Sequence, residues 1–241
     1  METSSRVVLV VGGVRGLGLA VARGLAARGD RVHLTWRGSA DRADALADEF
    51  GGRVHRLDAA DGAATRDLVT RVVAEDGRLD AAVSTVGDYR EGPLAELAPE
   101  DLEHLWRSNV VTATALMAAA RGPLRDAGGA LLLFGCAGLA GLRARRDCAA
   151  YAATKSALLV LLRSFAVEEA AHGVRANMIS PGLVPHDAAH ASTLDPTVQA
   201  GIPAGRTGTL DEVAAAACFL LSDEAAHVTG TDLQLAGGWM L

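Results

Sequence analysis

Arg6-Val-Val-Leu-Val-Val11-Gly12-Gly13-Val14-Arg15-Gly16-Leu17-Gly18 is the stretch on which the fold turns. A β-branched apolar run without alternation reads as a strand buried on both faces, the mark of a parallel sheet. It ends in glycines spaced G-x-x-x-G-x-G, and an amphipathic segment, Leu19 to Arg28, follows at once and closes at Gly29. Glycines let the backbone approach an anion, and the helix N-terminus offers unpaired N–H groups to a pyrophosphate. Gly12, Gly16, Leu17 and Gly18 are therefore candidate cofactor residues. Alone the loop is a weak sign, because a glycine-rich turn can also bind nothing.

The next strand, Arg31 to Thr35, sharpens it, since it runs into Trp36-Arg37-Gly38-Ser39. An acidic residue at this point in a dinucleotide fold holds a ribose 2′-OH, whereas an arginine accommodates a 2′-phosphate. Arg37, with Arg15 inside the glycine loop, favours NADP(H) over NAD(H). A helix over Asp41 to Phe50 leads to strand Arg53 to Leu57 and then Asp58, whose carboxylate can accept from an adenine amino group or cap the next helix. Helix Ala64 to Glu75, strand Leu79 to Ser84 and the turn Thr85-Val86-Gly87 continue the alternation, with Gly87 beside the expected crevice. The rhythm is that of a Rossmann-type doubly wound parallel sheet with helices on both faces, a single α/β domain spanning residues 1–241.

Further along, Tyr151 and Lys155 stand four residues apart at the start of an apolar helical run, so both project from one face. A cation within a few ångströms stabilises a phenolate, so Lys155 is expected to lower the pKa of Tyr151. Among the 23 basic residues Lys155 is the single lysine against 22 arginines, which marks it as a site rather than a solvated charge. Pro99 to Ala120 reads as one long helix with Asn109 inside it, one of two asparagines in the chain and a poor interior helix residue. Its functional reading is an amide that holds a water near the site. Strand Ala130 to Phe134 ends in Gly135-Cys136-Ala137-Gly138, and Arg143, Arg145 and Arg146 follow in a loop that can attract an anionic carrier or simply be solvated. After strand Val174 to Ile179 and the break Ser180-Pro181-Gly182, an irregular segment, 183–207, reads as a substrate lid. Helix Asp211 to Leu221 and strand Asp232 to Leu235 complete the sheet.

Bulk properties agree. A net charge of -6 with pI near 5.6 argues against a nucleic-acid partner. Cys136, Cys148 and Cys218 have no metal-ligand spacing and are odd in number, which points to no metal, no disulfide framework and a reducing, cytoplasmic setting. The apolar run at Val7 to Val11 is too short for a membrane span and lacks a signal-peptide pattern.

The glycine loop, Asn109 and the Tyr151/Lys155 pair, in this order on one α/β chain, resemble the short-chain dehydrogenase/reductase family. Asp58, Pro181-Gly182, Ile202-Pro-Ala-Gly-Arg206 and Gly237-Gly238 extend the resemblance over the whole length. It implies that Tyr151 exchanges the proton at the reacting oxygen, that Lys155 also binds the nicotinamide ribose, and that Asn109 supports a water in a proton relay. It further implies that Pro181, Gly182 and the Val184 backbone contact the nicotinamide. A homodimer or homotetramer built on the Asn109 and Tyr151 helices is implied too, with Leu158, Leu161, Leu162 and Phe165 facing the partner or, alternatively, packed in the core. Two departures stand out. Ser84-Thr85-Val86-Gly87 replaces the family's Asn-Asn-Ala-Gly, and the carbonyl-polarising serine is absent, with Cys136 in its place by strand count and Gly138 by spacing to Tyr151. A thiol is the weaker donor. The expected activity is an NADPH-dependent carbonyl reductase, or the reverse alcohol dehydrogenase, on a small ketone or alcohol. The alternatives are an epimerase or dehydratase without net redox turnover, and a catalytically silent NADP(H)-binding protein.

Overall fold

The apolar runs pair as strands wherever the sequence placed them. The structure, a computed structural model, describes residues 5–141, 143–186 and 196–240. Its seven strands are β1 (Val7–Val11), β2 (Arg31–Trp36), β3 (Val54–Arg56), β4 (Ala81–Ser84), β5 (Ala130–Phe134), β6 (Arg175–Pro181) and β7 (Asp232–Leu235), all parallel in the order β3-β2-β1-β4-β5-β6-β7. The order reverses direction between β1 and β4, which is where such sheets open a ligand crevice at the carboxyl ends of the strands.

Side chains of β1 divide by parity. Val8 and Val10 pack with Val21 and Leu25 of α1 (Gly16–Ala27), Leu46 of α2 (Ala40–Ala47) and Val213 and Ala217 of α8 (Leu210–Leu221). Val7, Leu9 and Val11 face Leu68 of α3 (Gly62–Asp76), Leu116 of α5 (Thr112–Ala127) and Leu162 of α6 (Ala149–Glu169). A strand covered on both sides has no solvent face to mark with polar residues, which is why β1 shows no alternation. Segment Ala149–His172 is long and apolar enough to cross a membrane, yet Leu158, Leu159, Leu162 and Phe165 pack into the core beneath the sheet.

Several boundaries differ from the sequence reading. The expected helix from Pro99 to Ala120 runs to Ala127 and is interrupted: α4 (Pro99–Trp106) passes through a π-helical turn, Arg107–Val111, into α5. Such a turn widens the helix by one residue, and Asn109 sits inside it. The chain does not break at Ser180-Pro181 either. β6 continues through both, because Pro181 needs no N–H at a strand end while its carbonyl accepts from Ala137 N at 3.0 Å. Of the expected lid, residues 187–195 lie outside the described residues, and the remainder contains a short helix, α7 (Pro196–Ala200). Ile202 and Ala204 then close against the turn at Gly237, where a Cβ would lie 3.0 Å from Ile202 Cγ2.

Candidate active site and cofactor cleft

The glycine loop is held by two threonines. Gly12 N donates to Thr35 Oγ1 at 3.1 Å, and Thr85 Oγ1 lies 3.2 Å from the carbonyls of Val11 and Gly12. Thr85 thus supplies the polar support that the altered Ser84–Gly87 turn puts in question. Gly12 takes a φ of +87°, and a Cβ at Gly18 would strike the Gly12 carbonyl and lie 2.6 Å from Thr85 Oγ1, so both glycines are required by the packing itself. Arg15, at the N-cap of α1, makes no side-chain cap, which leaves the N–H groups of the first turn available to an anion.

A cleft of about 440 Å³ opens beside this loop, lined by Gly12, Arg15, Arg37, Asp58 and Gly87 of the expected cofactor residues. Hollows of about 760 Å³ between α1 and α8 and about 850 Å³ at the amino ends of β1, β4, β5 and β6 are larger, but of the expected cofactor residues they touch only Gly16. Arg15 and Arg37 are exposed at the rim, and neither has an ion-pair partner among the described residues. Asp58 does not cap α3: that cap is Asp61, which accepts from Ala63 N and Ala64 N. Asp58 Oδ1 accepts from Ala60 N at 3.1 Å, which fixes the carboxylate on the cleft wall.

Tyr151, Lys155, Asn109 and Cys136 converge where β4, β5 and α6 meet. Lys155 is buried, donates to the Phe134 carbonyl at 2.8 Å and lies 5.7 Å from the Tyr151 ring centroid. Burial lowers its pKa to about 8, against a smaller raising effect of Cys136. The expected tuning of Tyr151 is corrected here. Its phenol is pushed above the ordinary value, chiefly by burial and then by Cys136, Cys148 and Tyr89, while the Lys155 ammonium donates to the Phe134 carbonyl.

Asn109 is fully buried; its Nδ2 donates to the Asp88 carbonyl at 3.1 Å and to Thr154 Oγ1 at 3.0 Å. Its Oδ1 is buried without a protein partner among the described residues, an acceptor that a relay water would satisfy. Gly87 leaves the room for it: a Cβ there would strike Asn109 Oδ1 and lie 3.1 Å from Lys155 Nζ. Thr154, which the sequence reading passed over, donates to the Tyr151 carbonyl at 2.7 Å and so ties the catalytic turn to Asn109. Its signal was only its place between Tyr151 and Lys155.

Sterics weigh on the two candidates for the serine position. Gly138 has φ +76°, and a Cβ there would lie 2.6 Å from Arg145 Nη2 and 2.9 Å from the Met240 carbonyl. No side chain fits there. Cys136 is felt by both Tyr151 and Lys155, and burial raises its thiol to about 11, against the pull of Lys155 and Arg145. It is a protonated, weak donor.

Pro181 ends β6, Gly182 follows it against Ala236, and Val184 is buried in the core on the α8 side. His186, two residues on, lies against Gly16. Arg143 donates to the Met240 carbonyl, and Arg145 to those of Ala137 and Gly138 at 2.9 and 2.7 Å, so both fasten the loop to its surroundings. Leu158, Leu162 and Phe165 do not face outward as expected; they lie in the core, and of the four only Leu161 is exposed, beside Val160 and Val167. Tyr89 is a further residue absent from the sequence reading. Its ring meets that of Tyr151 edge-on, with centroids 5.0 Å apart at 82°.

The enoyl-(acyl carrier protein) reductase family model matches residues 12–240. The chain is 32% identical to the 3-oxoacyl-(acyl-carrier-protein) reductase FabG of Escherichia coli, over 99% of this chain and 98% of that protein. It superposes on a short-chain dehydrogenase/reductase from Serratia marcescens with a TM-score of 0.88 at 30% identity, covering 100% of both chains. A blue fluorescent protein from a metagenomic library, solved in complex with NADPH, matches with a TM-score of 0.89 at 30% identity, again over 100% of both.

Proposed function

The chain belongs to the short-chain dehydrogenase/reductase family, and from that premise we propose that it is an NADPH-dependent carbonyl reductase, run in reverse as an alcohol dehydrogenase. Family membership makes it an oxidoreductase with a nicotinamide cofactor. The observation that carries the finer reading is the packed set Tyr151, Lys155, Thr154 and Asn109 with the orphaned Asn109 Oδ1 behind it. Lys155 would serve a silent cofactor-binding relative equally, whereas a buried amide oxygen without a protein partner among the described residues, costly unless a water meets it, is what a proton relay needs.

The residues fit the cofactor. The glycine cradle of Gly12, Gly16 and Gly18, with the N–H groups from Leu17 onward, would hold the pyrophosphate; Arg15 and Arg37 would take the 2′-phosphate and Asp58 the adenine. Lys155 would bind the nicotinamide ribose, with Gly87, Pro181, Gly182 and the Val184 backbone along the nicotinamide half. Bound there, the cofactor would supply hydride-transfer chemistry. Tyr151 gives its hydroxyl proton to the carbonyl oxygen, and the phenolate left behind recovers a proton through a water held at Asn109 Oδ1. The raised pKa of Tyr151 keeps it protonated before turnover, as a general acid must be. Cys136, in the position of the polarising serine, offers a weaker hydrogen bond to the same oxygen.

The described parts of the expected lid, 183–186 and 196–207, would flank a substrate cover, and three unpaired cysteines fit a reducing cytosol. Exposed apolar residues on α4 and α6, namely Leu102, Trp106, Val160, Leu161 and Val167, support a homodimer or homotetramer on that face. Turnover of ketones with NADPH, abolished in Tyr151→Phe while NADPH binding stays within about twofold, is the expected result. Unchanged turnover in Tyr151→Phe would remove the assignment.

A further inference from the structure

The loop after β4 is fastened at both ends. Asp88 gives its carbonyl to Asn109 Nδ2 at 3.1 Å and its carboxylate to His104 Nε2 at 2.8 Å, while Gly92 N donates to the Asp147 carbonyl at 2.7 Å. Between these anchors Tyr89 is set edge-on against Tyr151 and yet remains 59% exposed. A large aromatic ring left in solvent above a proton donor loses nothing by being covered, and it gains when the covering group is flat. Cys148, the N-cap of the helix that carries Tyr151 and a neighbour of Arg90 and Glu91 in one hollow, is a partly exposed thiol and adds polarisable sulfur close by.

We propose that Tyr89 is the specificity-determining wall of the substrate pocket, and that it selects ketones carrying an aromatic or conjugated planar group beside the carbonyl. The inference rests on Tyr151 being the proton donor to that carbonyl. Stacking on the open ring face would orient the carbonyl towards the phenol, whereas a saturated chain gains only area from the same surface. Tyr89 touches the substrate without exchanging a proton with it, so its hydroxyl is dispensable and its ring is not.

The test compares acetophenone with 2-octanone, of equal carbon count, in the full-length protein with NADPH. In wild type kcat/KM should favour acetophenone; in Tyr89→Ala that preference should fall by roughly three- to tenfold, the worth of one aromatic contact, through KM more than kcat. Tyr89→Phe should keep the preference, and NADPH affinity by fluorescence titration should stay within about twofold in both variants. Equal losses on the two ketones in Tyr89→Ala, or no aromatic preference in wild type, would overturn the proposal. Calorimetric binding of the two ketones to the protein–NADP⁺ complex separates the two readings. Aromatic binding lost in Tyr89→Ala without any turnover in wild type would uphold the wall and refute the reductase.

Discussion

Gly87→Ala is the change that most directly probes the packing of the site. Gly87 has an ordinary backbone conformation, so the penalty is one of space alone. The new methyl would strike Asn109 Oδ1 and lie 3.6 Å from Asn109 Cγ and 3.1 Å from Lys155 Nζ. If the amide stays, the site is overpacked at a cost of about 1–3 kcal/mol. If the amide withdraws, it gives up its bonds to the Asp88 carbonyl and to Thr154 Oγ1, each worth about 1 kcal/mol. Both routes arrive near a loss of about 2 kcal/mol, or about 4–8 °C in Tm for a domain of this size. The catalytic effect should be larger than the stability effect, since a displacement on the order of 1 Å in a positioning group costs about a hundredfold in rate. Urea denaturation, differential scanning calorimetry and NADPH-dependent ketone reduction on the same preparation give all three quantities. A variant with wild-type Tm and wild-type kcat would refute the assignment of Gly87 as the space that Asn109 and Lys155 share.

Arg37→Ala and Arg15→Ala should each weaken NADPH binding by roughly tenfold or more while leaving NADH unchanged, the loss of a charge-assisted contact to one phosphate; equal losses for both cofactors would remove the 2′-phosphate role. Lys155, held at about 8 by burial, is charged below that pH and neutral above it, so kcat/KM for NADPH should fall on the alkaline side of pH 8; a flat profile to pH 9.5 would exclude the ammonium from cofactor binding. His55 is lowered chiefly by burial and then by the neighbouring His33, whose Nε2 lies 2.6 Å from Asp76 Oδ2 and whose Nδ1 lies 3.0 Å from His55 Nε2. The unfolded chain therefore takes up the proton first, and urea midpoints should drop as pH falls below the ~6.5 of a free imidazole; the drop should be smaller in His55→Gln, and an equal drop would place the effect elsewhere. Cys136→Ser should raise kcat on ketones by roughly tenfold or more by restoring a hydroxyl donor, and a lower rate would show that the thiol is not at the carbonyl.

The layers of the fold were legible because their causes are local. Unalternating apolar runs, glycines at the first turn and regular strand-to-helix spacing leave a parallel sheet as the consistent solution, and the two-faced burial of β1 is its direct expression. The places of the glycine loop, Arg37, Asp58 and Gly87 were readable for the same reason: each follows the carboxyl end of a strand in the run β3-β2-β1-β4 and lines one cleft, a place fixed by topology once the strands are counted. What the sequence could not show depends on depth and on distant partners. The four-residue spacing of Tyr151 and Lys155 gave the shared helix face correctly, but not the depth at which burial raises the phenol, nor that the ammonium would donate to the Phe134 carbonyl of β5, so the direction of the Tyr151 shift came out reversed. Leu158, Leu162 and Phe165 look alike whether they face a partner or the sheet, and only tertiary packing assigns them to the core.

Asn109 joins the two kinds of information. Its poor fit to a helix interior was visible in the chain, and the π-helical turn is the structural answer to that misfit: the wider turn carries the amide inward, where the Asp88 carbonyl, Thr154 and the space above Gly87 receive it. The same amide anchors the loop that carries Tyr89, so one buried side chain positions the relay acceptor on one side and the aromatic wall on the other. Asn109→Ala should therefore do more than remove a water site. By freeing the Asp88 carbonyl it should loosen Tyr89 as well, and the loss on acetophenone should exceed the loss on 2-octanone by about the factor that Tyr89→Ala shows. In the double variant the aromatic preference should fall no further than in either single one, because two changes acting through one loop are not additive. Full additivity in that cycle would mean that the relay and the wall are independent, and that the Asn109–Asp88 hydrogen bond couples nothing.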